Sequence, residues 1–215
     1  MLKESPLTEY LTEQEQIQQL KNWIKQYGPT IIAGVLIAIA VTSAWHYWQN
    51  YQNKILIHAS SIYDEMLTLR AQGNSSAALT QANKLRSHYA KTPYAQMAAY
   101  MLAREAVLKK NYPAAIKNLQ WVIAHSRDTS MQQIARLRIA RILITEKKPQ
   151  EALEFLKKVD DKSFAGMIAE VKGDAYFAMN QIDSAKKTYE LALQELPNAE
   201  VTRPILQMKY DNLTS

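Results

Sequence analysis

One apolar run limits what the rest of this chain can be. Thr30 to Trp48 reads TIIAGVLIAIAVTSAWHYW, and no Asp, Glu, Lys or Arg interrupts the longer stretch from Gln26 to Asn53. A helix rises about 1.5 Å per residue, so roughly 20 apolar residues cross a bilayer core about 30 Å thick. Aromatic rings, which settle at the headgroup level, lie near both ends, at Trp23, Tyr27, Trp45, Tyr47, Trp48 and Tyr51. The run therefore predicts one transmembrane helix at residues 30–48.

Two other interpretations of this run are a cleaved signal peptide and a buried core helix. A signal peptide has an apolar region of about 7–15 residues after a short basic start. Here the run is longer and begins only at Thr30, although small residues such as Ala44 could mimic a cleavage site. A buried helix would be unusual as the only strongly apolar helix of a chain.

The lysines beside the run predict its orientation. Lys21 and Lys25 lie close on the N-terminal side, whereas Lys54 alone lies close on the other side. Because positive charge near a membrane helix stays in the cytoplasm, the N-terminus is expected there. We therefore predict a cytoplasmic tail with a lead-in helix at 1–29, and we expect Gly28-Pro29 to break or bend the helix before the membrane span. Next along the chain we predict a helix in contact with lipid at 30–48, and then a periplasmic domain at 49–215.

Composition argues against several classes of function. The net charge of +6 is scattered and forms no Lys/Arg block, so nucleic-acid binding is not expected. The absence of cysteine excludes disulfides, thiolate metal sites and a cysteine nucleophile. The four histidines have no metal-ligand spacing, and no phosphate loop or nucleophile elbow occurs. We therefore expect no enzyme, no cofactor, no metal and no small-molecule substrate.

After the apolar run, small residues recur in a regular pattern. Pairs twelve residues apart return at intervals of about 35 residues, close to the period of the tetratricopeptide repeat (TPR). In that motif, small residues let two helices touch and rings fill the space around them. The last unit matches best, and the expected packing residues are Ala103, Ala115, Ala140, Ala152, Gly173, Tyr176, Ala185, Tyr189 and Ala192.

These patterns predict an all-α fold. A single N-terminal transmembrane helix would be followed by a TPR-like α-solenoid of about four helix pairs with a C-terminal capping helix. Turn residues such as Pro113 and Pro149 set the expected helix boundaries. The pairs are expected at about 55–90, 93–126, 129–160 and 163–197, and the capping helix at about 200–213.

The first helices of TPR units line a concave groove, and the register predicts which residues face it. These candidates for binding a partner are Tyr63, Met97, Tyr100, Arg104, Leu137, Arg141, Glu170 and Asp174. Arg104 and Arg141 hold the same position in consecutive units and could bind an extended or helical polypeptide. Alternatively, Arg141 pairs with Glu170 or Asp174 inside the solenoid, and the Met and Tyr side chains only pack.

With these residues identified, the chain resembles a known family, the YfgM-like ancillary subunits of the Sec translocon. The resemblance is carried by LKNWIKQYGPTIIAGVLIAIAVTSAWHYW at 20–48, IARLRIARILITEKKPQEALEFLKKV at 134–159 and FAGMIAEVKGDAYFAMNQIDSAKKTYELAL at 164–193. It implies an inner-membrane protein whose partners are the SecYEG translocon and a PpiD-like periplasmic chaperone. The implied role is the transfer of translocated proteins to periplasmic chaperones. A TPR scaffold for envelope assembly or cell division, unrelated to secretion, would share the same physical features.

Overall fold

The computed structural model describes residues 13–159, 162–196 and 202–213, and all regular structure in this part of the chain is helical. The predicted all-α class and order of helix pairs are confirmed. The helices are α1 (Glu13–Ala71), α2 (Ser75–His88), α3 (Pro93–Leu108), α4 (Tyr112–His125), α5 (Thr129–Thr145), α6 (Pro149–Leu156), a 3-10 turn (Lys162–Phe164), α7 (Ala165–Ala178), α8 (Ile182–Glu195) and α9 (Thr202–Asp211).

The chain divides into two compact units, residues 1–55 and 56–215. In the first unit, α1 supplies an apolar window long enough to cross a membrane, and none of that window is buried within the protein. Large side chains such as Ile32 and Ile37 are exposed along it. This exposure excludes a buried core helix, because a contiguous apolar surface of this kind marks contact with a membrane or another protein.

Of the two outcomes expected at Gly28-Pro29, a break in the helix does not occur. Pro29 lies inside α1, and helix is assigned on both sides of it. Proline removes one backbone hydrogen bond, which weakens a helix without necessarily ending it. The lead-in helix is therefore part of α1, and so is the first helix of the first pair. Residues 1–12 of the predicted tail lie outside the described residues.

The helix starts in the second unit follow from local capping chemistry. Asn74, Thr92, Asn111 and Asp128 precede α2, α3, α4 and α5, and each accepts a hydrogen bond from a backbone N–H of the first turn. Such caps satisfy amides that would otherwise have no partner in the helix. Prolines at the first turns of α3, α4 and α6 remove an N–H that would be free in any case.

Each helix pair closes with the same left-handed turn. A residue with positive φ follows the first helix of every pair, and these four residues are Gly73, Lys110, Lys147 and Asn180. In each turn, the N–H of the next residue donates to a carbonyl five positions earlier, as Asn111 does to Ala106. This bond is typical of a Schellman motif. The first helix of all four pairs therefore ends in the same type of turn.

The second unit buries its apolar residues in three clusters that follow one another along the solenoid. The first joins the C-terminal part of α1 to α2 and α3, and the last joins α7, α8 and α9. The central cluster contains Ala103, Ala140 and Leu137 and is built mainly from α3 to α7. Neighbouring pairs thus share a continuous core, which is how TPR-like solenoids are stabilised.

Candidate functional site

The small residues of the repeat lie where the helices approach closely. Ala103, Ala115, Ala140, Ala152, Gly173, Ala185, Tyr189 and Ala192 are buried, and Tyr176 is half-buried. The side-chain atoms nearest to Gly173 belong to the ring of Tyr189. A Cβ at this position would overlap that ring. Glycine is therefore required at this contact between α7 and α8.

A cleft of about 290 Å³ lies between α3 and α5, and we call it the arginine cleft. Its lining residues are Tyr100, Ala103, Arg104, Val107, Leu119, Arg138, Arg141 and Ile142. The residues from α3 are spaced three and four apart, as are those from α5, so each set lies on one face of its helix. The structure thus brings three predicted groove residues together: Tyr100, Arg104 and Arg141.

Leu137, in contrast, does not line a groove. Its side chain is only 2% exposed and packs in the central core cluster. Consecutive residues of a helix point about 100° apart, so the next residue, Arg138, lines the cleft instead. The burial of Leu137 argues against a place in the groove, whereas Arg141, assigned by the same repeat register on this helix, does line the cleft.

Arg138 is a cleft residue that the sequence analysis missed. Its guanidinium lies over the ring of Tyr100, 4.6 Å from the ring centroid. The hydroxyl of Tyr100 donates to the backbone carbonyl of Met131, which holds the ring in place. Burial raises the pKa of Tyr100 to about 12, although the charge of Arg138 opposes this, so the phenol is neutral at physiological pH. The sequence signal for Arg138 is its spacing of three residues from Arg141, which places both arginines on one face of α5.

Arg104 and Arg141 each contact one carboxylate. Arg104 Nη1 lies 3.3 Å from Glu105 Oε1, and Arg141 Nη2 lies 3.2 Å from Glu170 Oε2. The arginine side chains are 56% and 45% exposed, so these pairs contribute little to stability. The alternative in which Arg141 pairs with Glu170 is therefore found in the structure, but Arg141 also lines the cleft.

Glu170 and Asp174 also form a charged cluster with Lys209 of α9. Lys209 Nζ lies 2.9 Å from Glu170 Oε1 and 2.8 Å from Asp174 Oδ1. Burial opposes the charge on Lys209, but its bonds to Asp174 and Glu170 outweigh burial and raise its pKa. The sequence offers no local signal for Lys209, because it lies 39 residues from Glu170 along the chain. Neither acid lines the arginine cleft.

Tyr189 completes this cluster. Its hydroxyl donates to Asp174 Oδ1 at 2.7 Å. Burial, and then the bond to Asp174, raise the pKa of Tyr189 above its usual value. One aromatic residue of the repeat therefore both packs on Gly173 and satisfies a half-buried carboxylate.

The other two predicted groove residues, Tyr63 and Met97, lie away from the arginine cleft. Tyr63 is half-buried, with its ring centroid 5.6 Å from that of Tyr94, whereas Met97 is exposed.

Within residues 13–159, 162–196 and 202–213, no group of three or more His, Asp or Glu side chains is placed to hold a metal ion. The arginine cleft, lined by arginine and apolar side chains, is suited to binding a ligand with charged and apolar groups.

Comparison with known sequences identifies relatives along nearly the whole chain. The "Ancillary SecYEG translocon subunit" of Haemophilus influenzae is 29% identical over 203 residues, covering 94% of this chain and 98% of the relative. The protein of the same name from Neisseria gonorrhoeae is 28% identical over 95% of this chain and 98% of the relative. That from Escherichia coli is 24% identical over the same shares.

Solved structures and a family model agree on the fold. A MamA fragment from Desulfovibrio magneticus RS-1, "MamA 41-end", superimposes with a TM-score of 0.53 at 15% identity, covering 73% of this chain and 93% of that chain. A MamA RS-1 double mutant gives a TM-score of 0.52 at 16% identity, covering 73% and 94%. The model of the tetratricopeptide repeat-like domain matches residues 21–215. With this match and the repeated helix pairs, the chain belongs to the tetratricopeptide repeat-like domain family.

Proposed function

We propose that this chain is a membrane-anchored TPR scaffold that associates with the Sec translocon through protein–protein contacts. The observation that carries the proposal is the coverage of the relatives. Proteins named for the SecYEG translocon match about 95% of the chain and 98% of their own length, so the similarity includes both the apolar helix and the repeats. Stacked helix pairs support the proposal, because they form extended surfaces for binding polypeptides.

The proposed location is the cell inner membrane, with the N-terminus in the cytoplasm and the TPR-like domain in the periplasm. The exposed apolar window of α1 supports an anchor in contact with lipid. Lys21 and Lys25, on its N-terminal side, support this orientation.

The proposed action is the transfer of translocated proteins to periplasmic chaperones, including a PpiD-like chaperone. Binding, and not catalysis, would be the activity. The arginine cleft supports this view, because its arginine and apolar side chains are suited to recognition and its lining contains no nucleophile paired with a base.

The proposal is tested by purifying the full-length protein from membranes in a mild detergent after crosslinking in intact cells. Mass spectrometry is expected to recover the SecYEG subunits together with a periplasmic chaperone. An unrelated single-pass protein, expressed at the same level, controls for non-specific recovery through the membrane helix. Recovery of envelope-assembly or division proteins without SecYEG would contradict the proposal and favour a scaffold unrelated to secretion.

A further inference from the structure

The arginine cleft combines a positive rim with an apolar floor. The three guanidinium groups of Arg104, Arg138 and Arg141 line it, and no acidic side chain is among its lining residues. The rest of the lining is apolar apart from the hydroxyl of Tyr100, which is already bonded to Met131. A group that fills this cleft must therefore satisfy positive charge and apolar surface together.

The positive charge of the cleft is only partly balanced from within the protein. Glu105 pairs with Arg104, and Glu170 pairs with Arg141 but also with Lys209 at 2.9 Å. Arg138 forms no ion pair within the described part of the chain, and its contact is the face of the Tyr100 ring. At least one guanidinium is thus available to an external anion.

The side chain of Arg138 is also restricted in conformation before such an anion binds. Stacking on Tyr100 restricts the guanidinium, and the bond from Tyr100 to the Met131 carbonyl restricts the ring beneath it. A guanidinium presents paired N–H donors that match the two oxygens of a carboxylate. Because Arg138 is restricted before binding, less side-chain entropy is lost when a carboxylate arrives.

We infer that the arginine cleft binds an extended polypeptide segment that carries an acidic and an apolar side chain two residues apart, and therefore on the same face of the extended chain. A carboxylate contacts Arg138 together with Arg104 or Arg141, and an apolar side chain lies against Val107 and Ile142. The volume of about 290 Å³ is at the lower end of small-molecule pockets, which span about 300–1,000 Å³, and it suits one or two side chains of a longer chain. The inference rests on the proposed function in one respect, the binding of polypeptides.

The test uses the full-length protein in nanodiscs of zwitterionic lipid and a twelve-residue synthetic peptide carrying a neutral fluorescent dye. Glu and Leu take turns at the odd positions of this peptide and Ser fills the even positions, so both side-chain types lie on one face of the extended chain. Two companion peptides replace every Glu with Gln, or every Leu with Ser. Fluorescence anisotropy is expected to show the tightest binding for the Leu/Glu peptide, with weakening as salt rises, because the charged contact is exposed to solvent. Empty nanodiscs control for partition of the peptide into lipid.

The variant Arg138→Gln is expected to weaken binding of the Leu/Glu peptide by about twofold to fivefold, the upper part of the range for one exposed charged contact. Its affinity for the Gln peptide is expected to be unchanged. The matched control is Arg127→Gln, because Arg127 is exposed and does not line the cleft. Circular dichroism is expected to show the same helicity in both variants, since Arg138 forms no ion pair in the described structure.

Equal binding of the Leu/Glu and Gln peptides, or unchanged affinity in Arg138→Gln, would overturn the inference. Equal binding of an oligonucleotide of similar charge would overturn it as well, because the cleft would then be a non-specific basic surface. Failure of the unaltered protein to recover SecYEG would contradict only the proposed function, since the peptide assay contains no translocon. Peptide discrimination that is lost in Arg138→Gln supports the inference whichever membrane partner is recovered.

Discussion

Lys209 donates to both carboxylate oxygens of Asp174, at 2.8 and 2.9 Å. The same ammonium group also contacts Glu170. This arrangement attaches the last helix, α9, to α7 by charge, in addition to the apolar contacts of Leu206. It also gives a shared cationic partner to two acids that the TPR register alone assigns to a partner-binding groove.

The first prediction concerns this attachment. Lys209→Met keeps most of the side-chain volume but leaves Glu170 and Asp174, both more than three-quarters buried, without their shared cation. We expect a loss of about 1–3 kcal/mol in the free energy of unfolding, because removal of one partner leaves a carboxylate poorly solvated. Chemical denaturation followed by circular dichroism measures this loss.

The matched control is Lys157→Met. Lys157 Nζ lies 2.8 Å from Glu154 Oε1, a distance equal to that between Lys209 and Asp174, but the two side chains are 67% and 57% exposed. We expect a change below about 0.5 kcal/mol, as is usual for exposed pairs on one helix. Equal losses in the two variants would show that burial does not strengthen the Lys209 contacts.

The second prediction concerns the contact between α7 and α8. In Gly173→Ala the new methyl group would overlap the Tyr189 ring, which is buried and has little room to move. We expect a net loss of about 1–3 kcal/mol, because overpacking outweighs the better helix propensity of alanine. Gly34→Ala is the control, since no neighbouring atom lies within 4 Å of its Cβ position. Thermal melts in which Gly173→Ala matches the parent would contradict the close contact.

The third prediction concerns alkaline pH. The pKa values of Tyr189 and Lys209 are both raised in the folded protein. Their stabilising contributions are therefore fully present below the unfolded pKa values, about 10 for Tyr and 10.4 for Lys, and are lost as pH rises through the folded values. We expect Tm to fall steeply above about pH 10, and to fall less steeply in Tyr189→Phe. A parallel decline in the variant and the parent would exclude Tyr189 as a source of this pH dependence.

The fourth prediction concerns topology. Reporter domains fused after residue 60 are expected to be active only in the periplasm, because Lys21 and Lys25 favour a cytoplasmic N-terminus. The full-length protein is expected to stay in the membrane fraction. A shorter, soluble form that begins near Ala44 would instead identify the apolar run as a cleaved signal peptide.

The repeated architecture could be predicted from the sequence because its signals are local. Each signal acts within one helix pair, whether it is two small residues twelve positions apart or a proline at a helix start. Ala103 with Ala115, and Ala140 with Ala152, therefore each indicate the helix pair that contains them. The left-handed turns were not recognised, because three of the four are formed by Lys110, Lys147 and Asn180 rather than by glycine. Pro29 does not break α1, because a proline weakens a helix but does not always end it.

The sequence by itself determined the helical class, the apolar span and the order of the pairs, since periodicity and turn chemistry depend on neighbours along the chain. Only the tertiary structure decided that Arg138, and not Leu137, lines the cleft, because the rotation of α5 is set by its packing against adjacent helices. Only the tertiary structure could show that Lys209 pairs with Glu170, across 39 residues of sequence. Long-range contacts of this kind depend on how the helix pairs stack, and no local pattern in the sequence encodes them.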